Sequence, residues 1–159
     1  MGSYTGTVPT FLAGELPDGD KFIEVTNFMT ADTSAWSAYT PVWASSGTQP
    51  VLNNGTLTGF YRQIGQTVNF RMTLLMGSTT TFGTGTYSIT IPVATSLTGQ
   101  VLPCNLNDAS SIPNVAMAII NISTTMIFYG QGSAATSNTV PITWASGDQI
   151  VVCGTYEVA

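Results

Sequence analysis

The sequence predicts an all-β chain, an antiparallel jelly-roll-like sandwich carrying an extended N-terminal arm. Three observations lead there. Apolar and polar residues alternate with the period of a half-buried strand in several short runs. Gly, Asn and Pro separate those runs at turn positions. Only 7% of the 159 residues are charged, against roughly 25% in an average soluble protein, and Thr, Ser, Gly and Asn supply the polarity instead. Thr is β-branched and suits the pleated surface of a sheet, while Gly and Asn suit its turns.

Charge separates the chain into two parts. Residues 1–38 form the arm, with Glu15, Asp18, Asp20, Glu24 and Asp32 against the single positive charge of Lys21. Residues 39–159 hold only Asp108, Asp148 and Glu157 against Arg62 and Arg71. Pro9, Gly14, Pro17 and Gly19 interrupt regular structure in the arm, leaving room for a short helix over 20–29. Phe11, Leu12, Phe22, Ile23 and Phe28 are too many apolar residues for so small a segment to bury by itself. They are the candidate partner-binding residues, docking on the chain's own body or on another protein.

The body reads as seven or eight strands. "YTPVWASS" gives a short first strand. "TLTGFYRQ" and "QTVNFRMTLLMG" follow, joined through Ile64 and Gly65, with Val68, Phe70, Met72 and Leu74 on one face and Asn69, Arg71 and Thr73 on the other. "STTTFGTG" is a loop. "TYSITIPV" places Tyr87, Ile89, Ile91 and Val93 together, and "GQVLPCNL" is a further short strand. "NVAMAIINIS" and "TMIFYGQG" are almost wholly apolar, so both of their faces require cover. "DQIVVCGTYEVA" closes the chain with Ile150, Val152, Tyr156 and Val158 on one face. Covering the outer face of the apolar strands against symmetry mates points to a trimer, and the low charge fits an interface-rich protein.

The composition argues against most chemistry. With no histidine, the commonest general base, the usual nucleophile–histidine arrangements and the commonest zinc ligand are missing. No catalytic or cofactor motif occurs, so neither an enzyme nor a cofactor is expected. Asp18 and Asp20 in "PDGD" lack the rest of a calcium loop and read as a solvated turn. Asp148 reads as the turn that starts the last strand. Cys104 and Cys153 show no metal-ligand spacing and read as two buried, reduced thiols. A net charge of −5 leaves no basic footprint for nucleic acid, and no apolar run reaches the ~18 residues of a spanning helix. No secretion signal is recognised at the N-terminus. Glycan binding remains open: Trp43 and Trp144 are the candidate contacts, although filling a β core is the commoner role for such side chains.

The stretch from Tyr39 to Val93 carries a longer signature: Y-T-P-x-W, then N-G-T-L-x-G-x-Y, then I-G-x-x-V, then G-S-T-T-T-F-G-T-G ahead of a strand. It resembles a module of bacteriophage virion proteins, especially minor tail and fibre proteins of phages of actinobacteria. "WASGDQIVVCGTYEVA" is similar to the closing strand of that module. The arm "TVPTFLAGELPDGDKFIEVTN" is similar to the segments by which fibre-type proteins attach to a virion. Residues 97–139 match no named family.

The resemblance implies a structural protein on the phage particle surface, made in the host cytoplasm. It implies a homotrimer anchored through its N-terminus to another virion protein, such as the major capsid or a tail protein. A chain this short fits a capsid decoration protein or head fibre. The alternative is a minor tail or tail-fibre receptor-binding protein that binds host surface glycans. No nucleic-acid partner and no membrane insertion are expected.

Overall fold

The structure is a computed structural model that describes residues 35–159 except 112, 113, 131 and 133. The arm residues Phe11, Leu12, Phe22, Ile23 and Phe28 and the helix expected over 20–29 lie outside the described residues. The described chain is all-β and antiparallel, as the alternation predicts. Its strands are β1 (Ser37–Tyr39), β2 (Trp43–Ser45), β3 (Thr56–Ile64), β4 (Thr67–Leu75) and β5 (Tyr87–Thr90). They continue with β6 (Val101–Asn107), β7 (Asn114–Ile122), β8 (Thr125–Tyr129) and β9 (Gln149–Glu157).

All nine belong to one hydrogen-bonded sheet in the order β1-β3-β4-β9-β6-β7-β8-β5-β2. The two separate sheets of the expected sandwich are therefore not delineated by hydrogen bonding. The sheet is instead rolled, and chain length shows why. Laid flat, eight strand-to-strand steps would part its edges by about 38 Å. Yet β1 lies at one edge and β2 at the other, and the four residue steps from Tyr39 to Trp43 span at most about 14 Å. The edges must approach one another around a shared interior.

This also corrects the single first strand expected in "YTPVWASS". Pro41 has no N–H to give to a ladder, and the chain changes edge there. Tyr39 pairs with Gly59 on β3, whereas Trp43 pairs with Ile89 on β5.

Side-chain alternation fills the interior. Val68, Phe70, Met72 and Leu74 of β4 are buried, as are Ile150, Val152 and Tyr156 of β9. Register lines these up into rows that cross the sheet. Leu57, Leu74, Ile150 and Leu106 form one row, and Gly59, Met72, Val152 and Cys104 the next. Phe70 and Tyr156 pack edge to face with ring centroids 5.6 Å apart. From the other half of the roll, Tyr87, Ile89, Ala118, Ile120, Met126 and Phe128 join the same core.

Candidate functional site

The segments Asn53–Gly55 and Gly77–Gly85 come together at one end of the β3–β4 hairpin. The turn at Asn53–Gly55 begins β3, and Asn53 adopts a left-handed φ of 49°, which asparagine tolerates better than most residues. Its side-chain amide donates to the Thr79 carbonyl at 2.6 Å. Asn54 Oδ1 accepts the Thr79 N–H at 2.9 Å and the Thr79 hydroxyl at 2.8 Å, while its Nδ2 donates to Ser78 Oγ. Thr80 Oγ1 accepts the Gly77 N–H and donates to the Leu52 carbonyl at 2.7 Å. Further along, the Thr48 N–H donates to Thr84 Oγ1, and the Thr84 N–H to the Thr48 carbonyl. Thus "SSGTQPVLNNG" and "GSTTTFGTG" form one clasp of two loops. Both sides of that clasp are hydroxyl- and amide-rich, which explains why the loops need Thr and Asn rather than charge.

Asp148 organises the neighbouring turn. Its backbone carbonyl accepts the Met76 N–H, and the Gly147 N–H returns to the Met76 carbonyl. The carboxylate is buried and both of its oxygens accept a bond: Oδ1 the Ala109 N–H at 2.9 Å and Oδ2 the Ala145 N–H at 2.7 Å. It does stand at the turn before the last strand, as expected, but its reach to Ala109 was not legible from that turn alone. Asp108 caps its own loop through the Ser110 N–H and hydroxyl, which hold its carboxyl below the usual range. Among the described residues no group of three or more metal-ligating side chains is assembled.

The two tryptophans proposed as glycan contacts are core residues. Trp43 is 8% exposed and Trp144 3% exposed, and they flank Tyr87 at centroid distances of 5.1 and 6.3 Å. The Trp144 indole N–H donates to the Ser137 carbonyl at 2.7 Å. A sugar ring stacks on an aromatic face open to solvent, and neither residue offers one. The reason is the roll: both side chains point into its closed interior.

The arginines sit on the outer face. Arg71 lies over the ring of its cross-strand neighbour Phe60, with Cζ 5.2 Å from the centroid. This cation–π contact pins β3 to β4. A shallow depression of about 230 Å³ is lined here by Thr58, Phe60, Arg71, Met72 and Thr73.

The cysteines differ from expectation. Both are free thiols, but Cys104 is buried while Cys153 is exposed, because β6 turns Cys104 inward and β9 turns Cys153 outward. Burial, with a smaller contribution from the nearby Cys153, pushes the Cys104 thiol up to about 12. A thiol reagent is therefore expected to titrate one sulfhydryl per folded chain, at Cys153, and two after denaturation. Two rapidly reacting thiols in the folded protein would contradict the burial. The raised value also fixes a pH dependence. The folded state holds the Cys104 proton more tightly than the unfolded chain, so the associated stability is present below pH 9 and is lost as pH rises towards 12.

The outer face of β6, β7 and β8 is apolar. Register places Val101, Ile119 and Ile127 in one row and Pro103, Met117 and Tyr129 in the next. Val115 is 81% exposed and Met117 46%. β7 and β8 were expected to need cover on both faces, and the described residues bury only the inner one. Comparison with protein families, curated proteins and solved structures finds no match to this chain.

Proposed function

We propose that this chain is a structural surface protein of a phage particle, a homotrimeric capsid decoration protein or head fibre held by residues 1–38. The observation that carries the reading is the clasp. Asn54 of the N-G-T-L-x-G-x-Y segment bonds directly to Ser78 and Thr79 of the G-S-T-T-T-F-G-T-G segment, about 25 residues away. Contact between these two segments of the resemblance supports the reading. The acidic arm, with Phe11, Leu12, Phe22, Ile23 and Phe28, supplies the attachment to a capsid or tail protein. The nearly neutral body, with only five charged side chains, supplies the displayed part.

Immunogold labelling of purified particles from a lysate that contains the chain tests this. Label spread over the heads is the expected result. Label confined to tail tips would move the chain to the alternative receptor-binding role, and particles that carry no label would overturn the virion assignment.

A further inference from the structure

We propose that Asn54–Gly55 is a self-modification site gated by the clasp: the closed loops preserve the asparagine, and the open loops let it cyclise to a succinimide and then to aspartate or isoaspartate. This goes beyond the virion reading and does not depend on it. The step is the one Asn-Gly pair in the 159 residues. Glycine has no Cβ to crowd the attack of its own nitrogen on the preceding carboxamide, and it leaves the backbone free to turn into the required geometry. Asn54 is exposed and lies in a turn, so water reaches it.

The chemistry needs only that water. The Gly55 nitrogen gives up its proton and bonds to Asn54 Cγ. The Cγ–Nδ2 bond breaks, and the side-chain nitrogen leaves as ammonia, taking up that proton. Water then adds to one of the two ring carbonyls. Opening at Cγ leaves aspartate. Opening at the original Asn54 carbonyl leaves isoaspartate, whose main chain runs through Cβ and Cγ and is one carbon longer.

Three features of the clasp oppose the first step. The Gly55 N–H donates to the Leu52 carbonyl at 2.8 Å, which holds the proton that must leave. Asn54 Oδ1 accepts the Thr79 N–H and hydroxyl, and Nδ2 donates to Ser78 Oγ. The carboxamide is thereby drawn across to the other loop and away from its own backbone. Gly77 packs against the same step, since a Cβ built there would meet Asn54 Oδ1 and the Gly55 nitrogen. Cyclisation therefore waits on local opening, and its rate follows the population of the opened clasp. Isoaspartate would make an opening permanent. The added carbon displaces the Gly55 N–H from Leu52 and shifts the entry into β3, where Thr56 pairs with Leu75.

The test incubates the full-length chain at mildly alkaline pH, folded and in urea, and follows Asn54 by peptide mass spectrometry with an isoaspartate-specific methylation assay. Conversion is expected to be slower in the folded chain by about tenfold or more, the scale of a locally protected backbone amide. Ser78→Ala combined with Thr79→Ala removes two of the three bonds to the carboxamide, at exposed positions. It should raise the folded-state rate and the hydrogen exchange of the Gly55 amide together, with the circular dichroism of the body unchanged. Ser78→Ala alone should move both in the same direction by a smaller factor. Equal rates in the folded and unfolded chain would overturn the gating. So would variants that speed Gly55 exchange without speeding conversion.

Discussion

Asp148→Ala is expected to destabilise the β body by about 1–3 kcal/mol, because two part-buried backbone donors each lose a charged acceptor. The donors are the N–H groups of Ala109 and Ala145. One belongs to the loop after β6 and the other to the turn before β9, so a single carboxylate ties together segments 36 residues apart. Asp148→Asn keeps one acceptor oxygen but turns an NH₂ group towards the other donor. It should therefore remain clearly less stable than the parent. Denaturant titration followed by tryptophan fluorescence measures both, since Trp144 is buried close by in the sequence. A loss below about 0.5 kcal/mol for the alanine variant, the scale of an ordinary surface substitution, would show that the two bonds are not holding the turn.

Gly59→Val is the second change with a large expected effect. Gly59 is buried in β3, and a Cβ built on it would run into the Tyr39 ring, at Cε1, Cζ and Cδ1. The ring fills the place a side chain would take, and it packs edge to face on Tyr61 at 6.1 Å between centroids. Adding a branched side chain here requires Tyr39 to leave. Overpacking of this kind costs about 1–3 kcal/mol, and loss of the Tyr39 packing adds to it. Because β1 is only Ser37–Tyr39 and is held through this pairing, the edge strand should detach. Hydrogen exchange at residues 37–39 and 59–61 is expected to accelerate along with the lower melting temperature. A double variant, Gly59→Val with Tyr39→Ala, should lose less than the sum of the two single changes, because the clash is then relieved. Strict additivity would mean that the two residues do not compete for the same space.

The two predictions differ in how far the sequence anticipates them. Glycine in "NGTLTGFY" signals a close approach or a turn, and only register with Met72 puts position 59 on the inner face. What approaches it is invisible locally, since Tyr39 lies 20 residues earlier in a strand that the sequence reading merges with β2. Pro41 was the available signal for dividing that strand, because it removes a ladder donor. In the same way, Gly-Asp before the last strand marks a turn at Asp148, but nothing near it in sequence indicates a bond to Ala109. For Trp43 and Trp144, the question was which side of the sheet faces solvent. Alternation alone assigns residues to faces without saying which face the sheet rolls around, so glycan stacking and core packing remained open until the roll was known.

By itself, the sequence determined the all-β class, which apolar residues share a face on β4, β5 and β9, and the contrast between an acidic arm and a nearly uncharged body. These follow from composition and from a two-residue period, both local properties of the chain. Only the tertiary structure decided that β1 and β2 occupy opposite edges and that β9 inserts between β4 and β6. It also decided that Asn54 clasps Thr79, and that the outward apolar residues of β6, β7 and β8 form one continuous face. Each of these depends on pairing between segments distant in sequence. Such pairing is selected by the packing of the whole interior, so no single stretch of the chain contains it.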